Sequence, residues 1–321
     1  MKGKRNQTTA ALPAVPSKKN RAWKTFRNNK TLLLMCLPAV IFFIVFNYCP
    51  LPGVWIAFTS YNFRDGIFGS PFVGLSNFEF LISSGELWTL TKNTILYNLV
   101  FIGNVFQIVI ALMLNEIRSK FFKKVSQTIM FLPYFISAVL IGAIAFNILN
   151  YDTGALNALL RETGADPIQI YSKAGLWPFI IIFCNMWQQT GYGSVVYFAA
   201  ICGIDSSMVE AAEVDGATSW QRIRYIILPS LKGTFIILLL FALGGIMKGN
   251  FGLFWNLTGG ANSQLFPTTD IIETFVYRTM TTQNNFATSS AVGLYQSIFG
   301  FILVMFSNWV VKRLDPDYAL F

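Results

Sequence analysis

The sequence predicts an all-α membrane protein with six transmembrane helices, and three observations lead to that fold class. The chain is 54% hydrophobic, contains 31 Phe and has only 12% charged residues, whereas a soluble domain carries about 25%. Its apolar residues are gathered into runs of about 20, the length that a helix needs to cross a bilayer. Its basic residues are concentrated before, between and after these runs. A lipid bilayer is therefore the expected environment of the chain.

Six apolar stretches are long enough to be transmembrane spans. In chain order they cover residues 31–58, 94–114, 128–149, 177–202, 233–252 and 290–311. The first span is interrupted near its outer end by Pro50 and Pro52, so that end is expected to bend or to leave α-helical geometry. Close helix packing is expected in span four at Gly191 and Gly193, because small residues let helices approach each other.

The distribution of Lys and Arg predicts the orientation, because basic residues in short loops are retained on the cytoplasmic side. Residues 1–30 hold nine basic residues and no acidic residue, and are predicted to be a basic cytoplasmic segment. With six spans, the loops after spans two and four and the tail at 313–321 lie on the same side. Both termini are then cytoplasmic, and 18 of the 24 basic residues are inside. The net charge of +9 is explained by topology and lipid headgroups, and no nucleic-acid partner is expected.

The residue types argue against three other kinds of protein. Every Asp and Glu is predicted to lie in a loop or tail and there is no His, so an ion-coupled carrier lacks the titratable groups it needs inside the membrane. No nucleophile with a base is predicted within a span, so no catalytic residue is expected. The four Cys form no C-x-x-C pair, and no metal site is predicted. A phosphate-binding G-x-x-x-x-G-K-[ST] loop is also absent from the sequence.

The loop between spans four and five is predicted to fold into two short helices. Ser207 and Glu210 have the spacing of a capping box, in which each side chain bonds a free backbone amide at the helix start. Gly216 is expected to end that helix after about two turns, since glycine adopts the left-handed conformation without strain. A second, amphipathic helix is predicted over 219–227, and Pro229 marks the turn into span five. We therefore expect a helix-turn-helix elbow on the cytoplasmic face.

The elbow residues also form the pattern E-A-A-x3-G-x9-I-x-L-P, which resembles the EAA loop of ABC importer permeases. The matching positions, with the acidic residue that precedes the glycine, are Glu210, Ala211, Ala212, Asp215, Gly216, Ile226, Leu228 and Pro229. The resemblance implies the type I ABC importer permease fold. It implies a permease domain over residues 31–312, with an ATPase-coupling loop at 203–232.

The resemblance also implies partners. A homologous second permease would form a heterodimer with this chain, two ATPase subunits would dock on the elbow, and an extracytoplasmic solute-binding protein would deliver the substrate. ATP and Mg²⁺ would be bound by the ATPase subunits, so this chain would hold no cofactor and would be a transport subunit, not an enzyme. Glu210 would meet a basic residue of the ATPase, although helix capping is a plainer role that it could fill at the same time. Ala211 and Ala212 would allow close approach, and Gly216 would set the bend.

Three further segments resemble a narrower branch. Residues 71–78, PFVGLSNF, are similar to the outer-loop signature of type I sugar importers in the maltose and oligosaccharide group. Residues 51–61 and 314–321 resemble the polysaccharide or oligosaccharide permeases of that group. The implied function is ATP-driven oligosaccharide uptake across a bacterial cytoplasmic membrane. The alternatives are import of another sugar or polyol, and an ion-coupled secondary transporter.

Lys248 is the one charged residue predicted inside a span, and it suggests a substrate path for acidic, uronate-containing oligosaccharides. An unpaired ammonium in lipid is costly, so it should face a wet cavity; the alternative is an interfacial lysine near the end of a shorter helix. Sugars bind through hydrogen bonds and aromatic stacking, so the other path candidates are polar and aromatic: Asn104, Gln107, Tyr134, Asn185, Gln188, Gln189, Tyr192, Asn250 and Trp255. Buried amides can instead bond helix to helix, and the second permease can supply most substrate contacts.

Overall fold

The computed structural model describes residues 29–98 and 100–319. The predicted basic segment at 1–30 therefore lies almost wholly outside the described residues, as do the last two residues of the tail. The chain divides into two compact units, Met1–Gly53 and Val54–Phe321. Within the described residues, β pairing is limited to an isolated antiparallel bridge between Thr59 and Phe72.

The rest of the architecture is helical. The α-helices in chain order are α1 (Lys30–Phe43), α2 (Gly66–Gly69), α3 (Ser76–Ser83), α4 (Glu86–Asn98), α5 (Val100–Glu116), α6 (Lys120–Phe131), α7 (Ala138–Leu149), α8 (Ala155–Glu162), α9 (Trp177–Cys202), α10 (Ser206–Val214), α11 (Ser219–Arg222), α12 (Leu228–Ser230), α13 (Lys232–Gly244), α14 (Phe251–Leu257), α15 (Phe266–Thr269), α16 (Ile272–Thr281) and α17 (Phe286–Leu314). Short 3₁₀ and π segments join several of them.

The fold class expected from the sequence is confirmed. Three continuous helical runs are long and apolar enough to cross a membrane, namely Lys30–Phe58, Glu86–Glu116 and Phe286–Leu314, and the number rises to six if each bent helix pair counts as one span. Span four occupies the predicted residues, Trp177–Cys202. Span one also behaves as predicted, because beyond the α-helix it continues as a π segment and then as a 3₁₀ helix over Leu51–Phe58.

Span three differs from its prediction because it is broken. The segment Lys120–Phe135 meets Ala138–Leu149 at an angle of 95°. Two residues account for the break. Pro133 lies in a 3₁₀ turn and has no N–H to continue an α-helix, and the Ser137 side chain accepts the Leu140 amide to start a new helix.

Span five is also shorter than predicted. Its helix α13 ends at Gly244, residues 245–250 are not helical, and α14 begins where Asn250 caps the amide of Leu253. The predicted continuous helix over 233–252 is therefore wrong. Lys248 lies in this break. At the other end of α13, Lys232 forms an ion pair with Asp315 over 2.7 Å, which ties the start of span five to the tail.

The predicted close packing at span four is confirmed by the lack of space around its glycines. A Cβ atom at Gly191 would overlap the backbone carbonyl of Met130, and one at Gly193 would overlap the Gln107 side chain. Because the contact at Gly191 is with backbone, α9 can approach α6 this closely only with glycine there, whereas at Gly193 the neighbour is the end of the flexible Gln107 side chain.

Candidate functional site

The elbow begins with an N-cap different from the predicted one. Helix α10 is bent by 72° from span four, and the Asp205 carboxylate accepts the backbone N–H of Ser207 over 2.9 Å. The predicted Ser207–Glu210 capping box is therefore wrong, because Asp205 already caps this helix. The hydrogen bond from the Ser207 amide lowers the pKa of Asp205. Glu210 is exposed, which leaves its carboxylate open to a partner.

Gly216 ends α10 as predicted. Its φ of +78° lies in the left-handed region, and its amide donates to the Glu213 carbonyl over 3.0 Å. The next amide, of Ala217, donates to the Ala212 carbonyl over 2.9 Å. These two bonds form a Schellman motif, which satisfies the free carbonyls of the helix end.

The second helix of the elbow is started by a capping box that the sequence analysis missed. The Thr218 hydroxyl accepts the Gln221 amide, and the Gln221 side chain accepts the Thr218 amide over 2.7 Å. The helix continues as a π turn over Ile223–Ile227 and as the short α12, which contains Pro229, and then bends by 57° into α13. The bend falls two residues after Pro229, so the predicted turn is shifted slightly.

The two faces of the elbow differ in character. On the inner face, Ile227 and Leu231 pack against Ala111, Tyr197 and Ile201 of the membrane spans. This cluster fixes the elbow to α5 and α9.

Four of the eight signature positions lie on the outer face. Ala212, Asp215, Gly216 and Ile226 line a notch of about 330 Å³ between the two helices. Beside it, the side chain of Val214 is 88% exposed. An apolar side chain so exposed next to a concave notch is typical of a surface that meets another protein.

A cavity of about 540 Å³ lies between α4, α5, α9 and the break in span five. Six of the ten predicted path residues line it, and they are Asn104, Gln107, Asn185, Gln189, Lys248 and Asn250. Among the described residues, the Lys248 ammonium has no acidic partner within ion-pair distance. The cavity therefore presents one positive charge surrounded by amides.

The other four predicted path residues do not line this cavity. Gln188 is buried and donates to the Ile136 carbonyl over 3.1 Å. Tyr134 and Tyr192 stack on each other with ring centroids 4.6 Å apart, and Trp255 packs between other aromatic rings of α14 and α16. The cavity therefore gives no support to the prediction that these four residues line a substrate path.

Several of the lining amides also bond one helix to another. The Asn104 oxygen accepts the hydroxyl of Tyr197 over 2.8 Å, and the Asn185 amide donates to the Tyr97 carbonyl over 3.1 Å. The alternative structural role considered for such amides thus applies to these two. Gln189 forms no such link within the described residues, so its amide is available to a ligand.

Sequence reasoning missed two acidic residues that pack inside the molecule. Asp270 is only 7% exposed and pairs with Arg278 over 2.6 Å, and burial raises the pKa of Asp270 despite opposing contributions from Thr274 and Arg278. Glu273 accepts the amide of Gly249, next to Lys248, over 2.7 Å. Both fall in the segment predicted as an outer loop. Glu273 lies in α16, whose amphipathic pattern was a signal that could have identified it, whereas Asp270 precedes that helix.

Residues 103–319 match the family model described as the binding-protein-dependent transport system inner membrane component, which covers more than half of the chain. The chain belongs to this family. It is a membrane-embedded transport subunit of an ABC transporter.

Relatives of known description extend over nearly the whole chain. Protein LplB of Bacillus subtilis is 30% identical over 95% of this chain and 96% of its own length. The polygalacturonan/rhamnogalacturonan transport system permease protein YteP of the same organism is 33% identical over 96% of this chain and 98% of its own length.

A solved structure gives the same result for the fold. A chain of a bacterial ABC transporter involved in the import of the acidic polysaccharide alginate superposes with a TM-score of 0.82 and 32% identity, covering 92% of this chain and 99% of that one. The same transporter type was solved with its periplasmic protein bound to an alginate pentasaccharide, at a TM-score of 0.81. The type I importer permease fold is therefore shown for this protein.

Proposed function

We propose that this permease imports acidic, uronate-containing oligosaccharides, and that Lys248 attracts their carboxylates. The observation that carries the proposal is the unpaired Lys248 ammonium in an amide-lined cavity of about 540 Å³, a size typical of small-molecule sites. The relatives support the same substrate class, since YteP is described as a polygalacturonan/rhamnogalacturonan permease and the superposed structure belongs to an alginate importer.

The chemistry of the cavity fits a charged sugar. A carboxylate would pair with the exposed ammonium at the cavity, and the neighbouring amides of Gln107, Gln189 and Asn250 would bond hydroxyl groups. A hydrogen bond to a charged group contributes about 1.5–3 kcal/mol, which corresponds to roughly 10- to 150-fold in affinity. Neutral sugars would gain only the weaker hydrogen bonds to the amides.

The elbow is proposed to couple transport to ATP hydrolysis on two separate ATPase subunits. Its outer face suits a protein partner, because it has a notch between the two helices and because Glu210 and Val214 are exposed on the elbow. We further propose a homologous second permease as a heterodimer partner, an extracytoplasmic solute-binding protein as the donor of substrate, and a bacterial cytoplasmic membrane as the location, with both termini inside. The division into residues 1–30, 31–312 and 313–321 belongs to this proposal.

The test is reconstitution of the transporter in proteoliposomes with its second permease, ATPase subunits and binding protein, followed by uptake of trigalacturonate. Lys248→Met should raise the KM for trigalacturonate roughly 10-fold or more. The matched control is Lys92→Met, which removes the same charge from an exposed position on α4. Equal KM values for the two variants would refute the role of Lys248. Stimulation of ATP hydrolysis by maltotriose but not by trigalacturonate would show that the substrate is neutral.

A further inference from the structure

The break in span five leaves several backbone groups without helical partners. Residues 245–250 lie between α13 and α14, and helical hydrogen bonding is lost there. An unsatisfied backbone group away from water costs several kcal/mol. The break can therefore persist only if other parts of the protein satisfy these groups.

Asn98, at the end of α4, satisfies two of them. Its side-chain amide donates to the carbonyl of Ile246 over 2.7 Å and to the carbonyl of Lys248 over 3.0 Å. The same side chain thus holds both ends of a three-residue stretch. Lys248 is the last residue of that stretch.

Glu273 and Gln296 satisfy two more groups. One oxygen of Glu273, Oε1, accepts the amide of Gly249 over 2.7 Å. The Gln296 side-chain amide donates to that same oxygen over 2.7 Å and to the Met247 carbonyl over 2.6 Å. The two side chains come from α16 and α17, so with Asn98 three separate helices hold the break.

The carboxylate also lies directly against the backbone. A Cβ atom at Gly249 would lie 2.8 Å from the second oxygen of Glu273, Oε2, and would overlap the Ile271 side chain. Oε2 is buried and has no hydrogen-bond partner within the described residues. A buried carboxylate oxygen without a donor is costly, so the position of this carboxylate is maintained by the bonds that Oε1 makes.

We propose that Glu273 is a positioning residue for Lys248. Its carboxylate, together with Asn98 and Gln296, clamps the break in span five and thereby fixes the Lys248 side chain at the cavity. This inference rests on the proposed function, because it assigns to Glu273 the orientation of the group that binds the acidic sugar. Glu273 itself does not line the cavity.

The first test is a double-mutant cycle on trigalacturonate uptake by the reconstituted transporter. Glu273→Ala should raise the KM about 10-fold when Lys248 is present, within the range of couplings between residues of one hydrogen-bond network. In the Lys248→Met background the same change should have less than about a twofold effect, because the group it positions is gone. Equal effects in both backgrounds would overturn the proposal, since a general loss of structure acts whether or not Lys248 is there.

Two further variants test which property of Glu273 matters. One removes its charge but keeps the hydrogen-bond acceptor, and the other truncates a glutamate elsewhere in the chain. Glu273→Gln keeps an oxygen for the Gly249 amide, so its KM should stay near that of the unchanged protein; a KM as high as that of Glu273→Ala would overturn the proposal. Glu162→Ala removes an exposed glutamate from α8 and should leave the KM unchanged. A KM raised equally in this control would likewise contradict a specific role of Glu273.

The second test does not depend on the sugar. In a chain whose four natural Cys are replaced by Ser, the thiol of Lys248→Cys is labelled with a methanethiosulfonate reagent. Glu273→Ala should change this labelling rate, while the rate at Gln189→Cys, which lines the cavity from α9, should not change. An unchanged rate at position 248 would overturn the clamp. A changed rate together with no effect of Lys248→Met on uptake would refute the proposed substrate while the clamp stands.

Discussion

Replacing Gly216 with Val should uncouple uptake from ATP hydrolysis. The residue has a φ of +78°, and an L-amino acid pays about 1–2 kcal/mol for the left-handed region, with β-branched side chains least tolerated there. No atom lies within 4 Å of a Cβ placed on Gly216, so the whole cost comes from the backbone. The ratio of the native elbow to alternatives that straighten or lengthen α10 would fall about 5- to 30-fold relative to the unchanged protein.

The assay compares two substitutions at the same position. Gly216→Asn is the matched control, because asparagine adopts the left-handed conformation far more readily than other non-glycine residues. Reconstituted transporters carrying each variant are assayed for uptake and for ATP hydrolysis stimulated by the binding protein, and the amount of ATPase subunit that co-purifies is measured. We expect the valine variant to lose most of its uptake and the asparagine variant to keep most of it.

Two results would refute this reasoning. Full uptake and normal ATPase retention in Gly216→Val would show that the bend after α10 is not needed for coupling. Equal defects in the valine and asparagine variants would show that the backbone conformation is not the cause. In either case membrane insertion, measured by the amount of protein in the membrane fraction, should be the same as for the unchanged chain.

Three further predictions concern packing, a buried ion pair and a helix cap. Gly191→Ala should lower the free energy of unfolding in detergent by about 1–3 kcal/mol through overpacking, whereas Gly293→Ala, which has no atom within 4 Å of the new Cβ, should not lower it. Arg278→Met should destabilise the protein by about 3–5 kcal/mol, because its aspartate partner is left buried and unpaired; a thermal midpoint equal to that of the unchanged protein would contradict this. Asp205→Ala should speed hydrogen exchange in the first turn of α10. Because the Ser207 amide lowers the pKa of Asp205, the cap stabilises the helix above the ordinary aspartate pKa and is lost as the pH falls through the lowered value. Protection unaffected by the alanine change would exclude this cap.

Local sequence signals predicted the parts of the structure that depend on local interactions. The prolines at 50 and 52 forecast the loss of α-helical geometry at the end of span one, and Gly216 forecast the end of α10. The start of α10 was misjudged because Asp205 and Ser207 are both good N-cap residues. In the structure span four ends at Cys202 with Gly203 as its C-cap, and the next helix begins directly after Asp205.

The break in span five could not be predicted in the same way. Residues 245–250 are clearly less hydrophobic than the helix before them, and their glycines weaken a helix, but these local features do not say how the chain is held once the helix ends. The groups that stabilise the break are Asn98, Glu273 and Gln296, which lie in distant parts of the chain. The hydropathy pattern of one segment contains no information about hydrogen-bonding side chains that lie on three other helices. For the same reason the sequence identified Lys248 as unusual but not the groups that hold it.

Span five joins the two candidate sites. Helix α13 has 13 residues and is therefore about 20 Å long, with the elbow bend at one end and the Lys248 break at the other. A short α-helix behaves as a rigid rod because its backbone hydrogen bonds are internal. The two ends of α13 depend instead on side chains from elsewhere. At the start Lys232 pairs with Asp315, and at the other end the break is held by Asn98, Glu273 and Gln296. A displacement of the elbow would therefore alter the contacts at the two ends of α13 more easily than the hydrogen bonds within the helix. The clamp on Lys248 lies where such a displacement would reach the cavity.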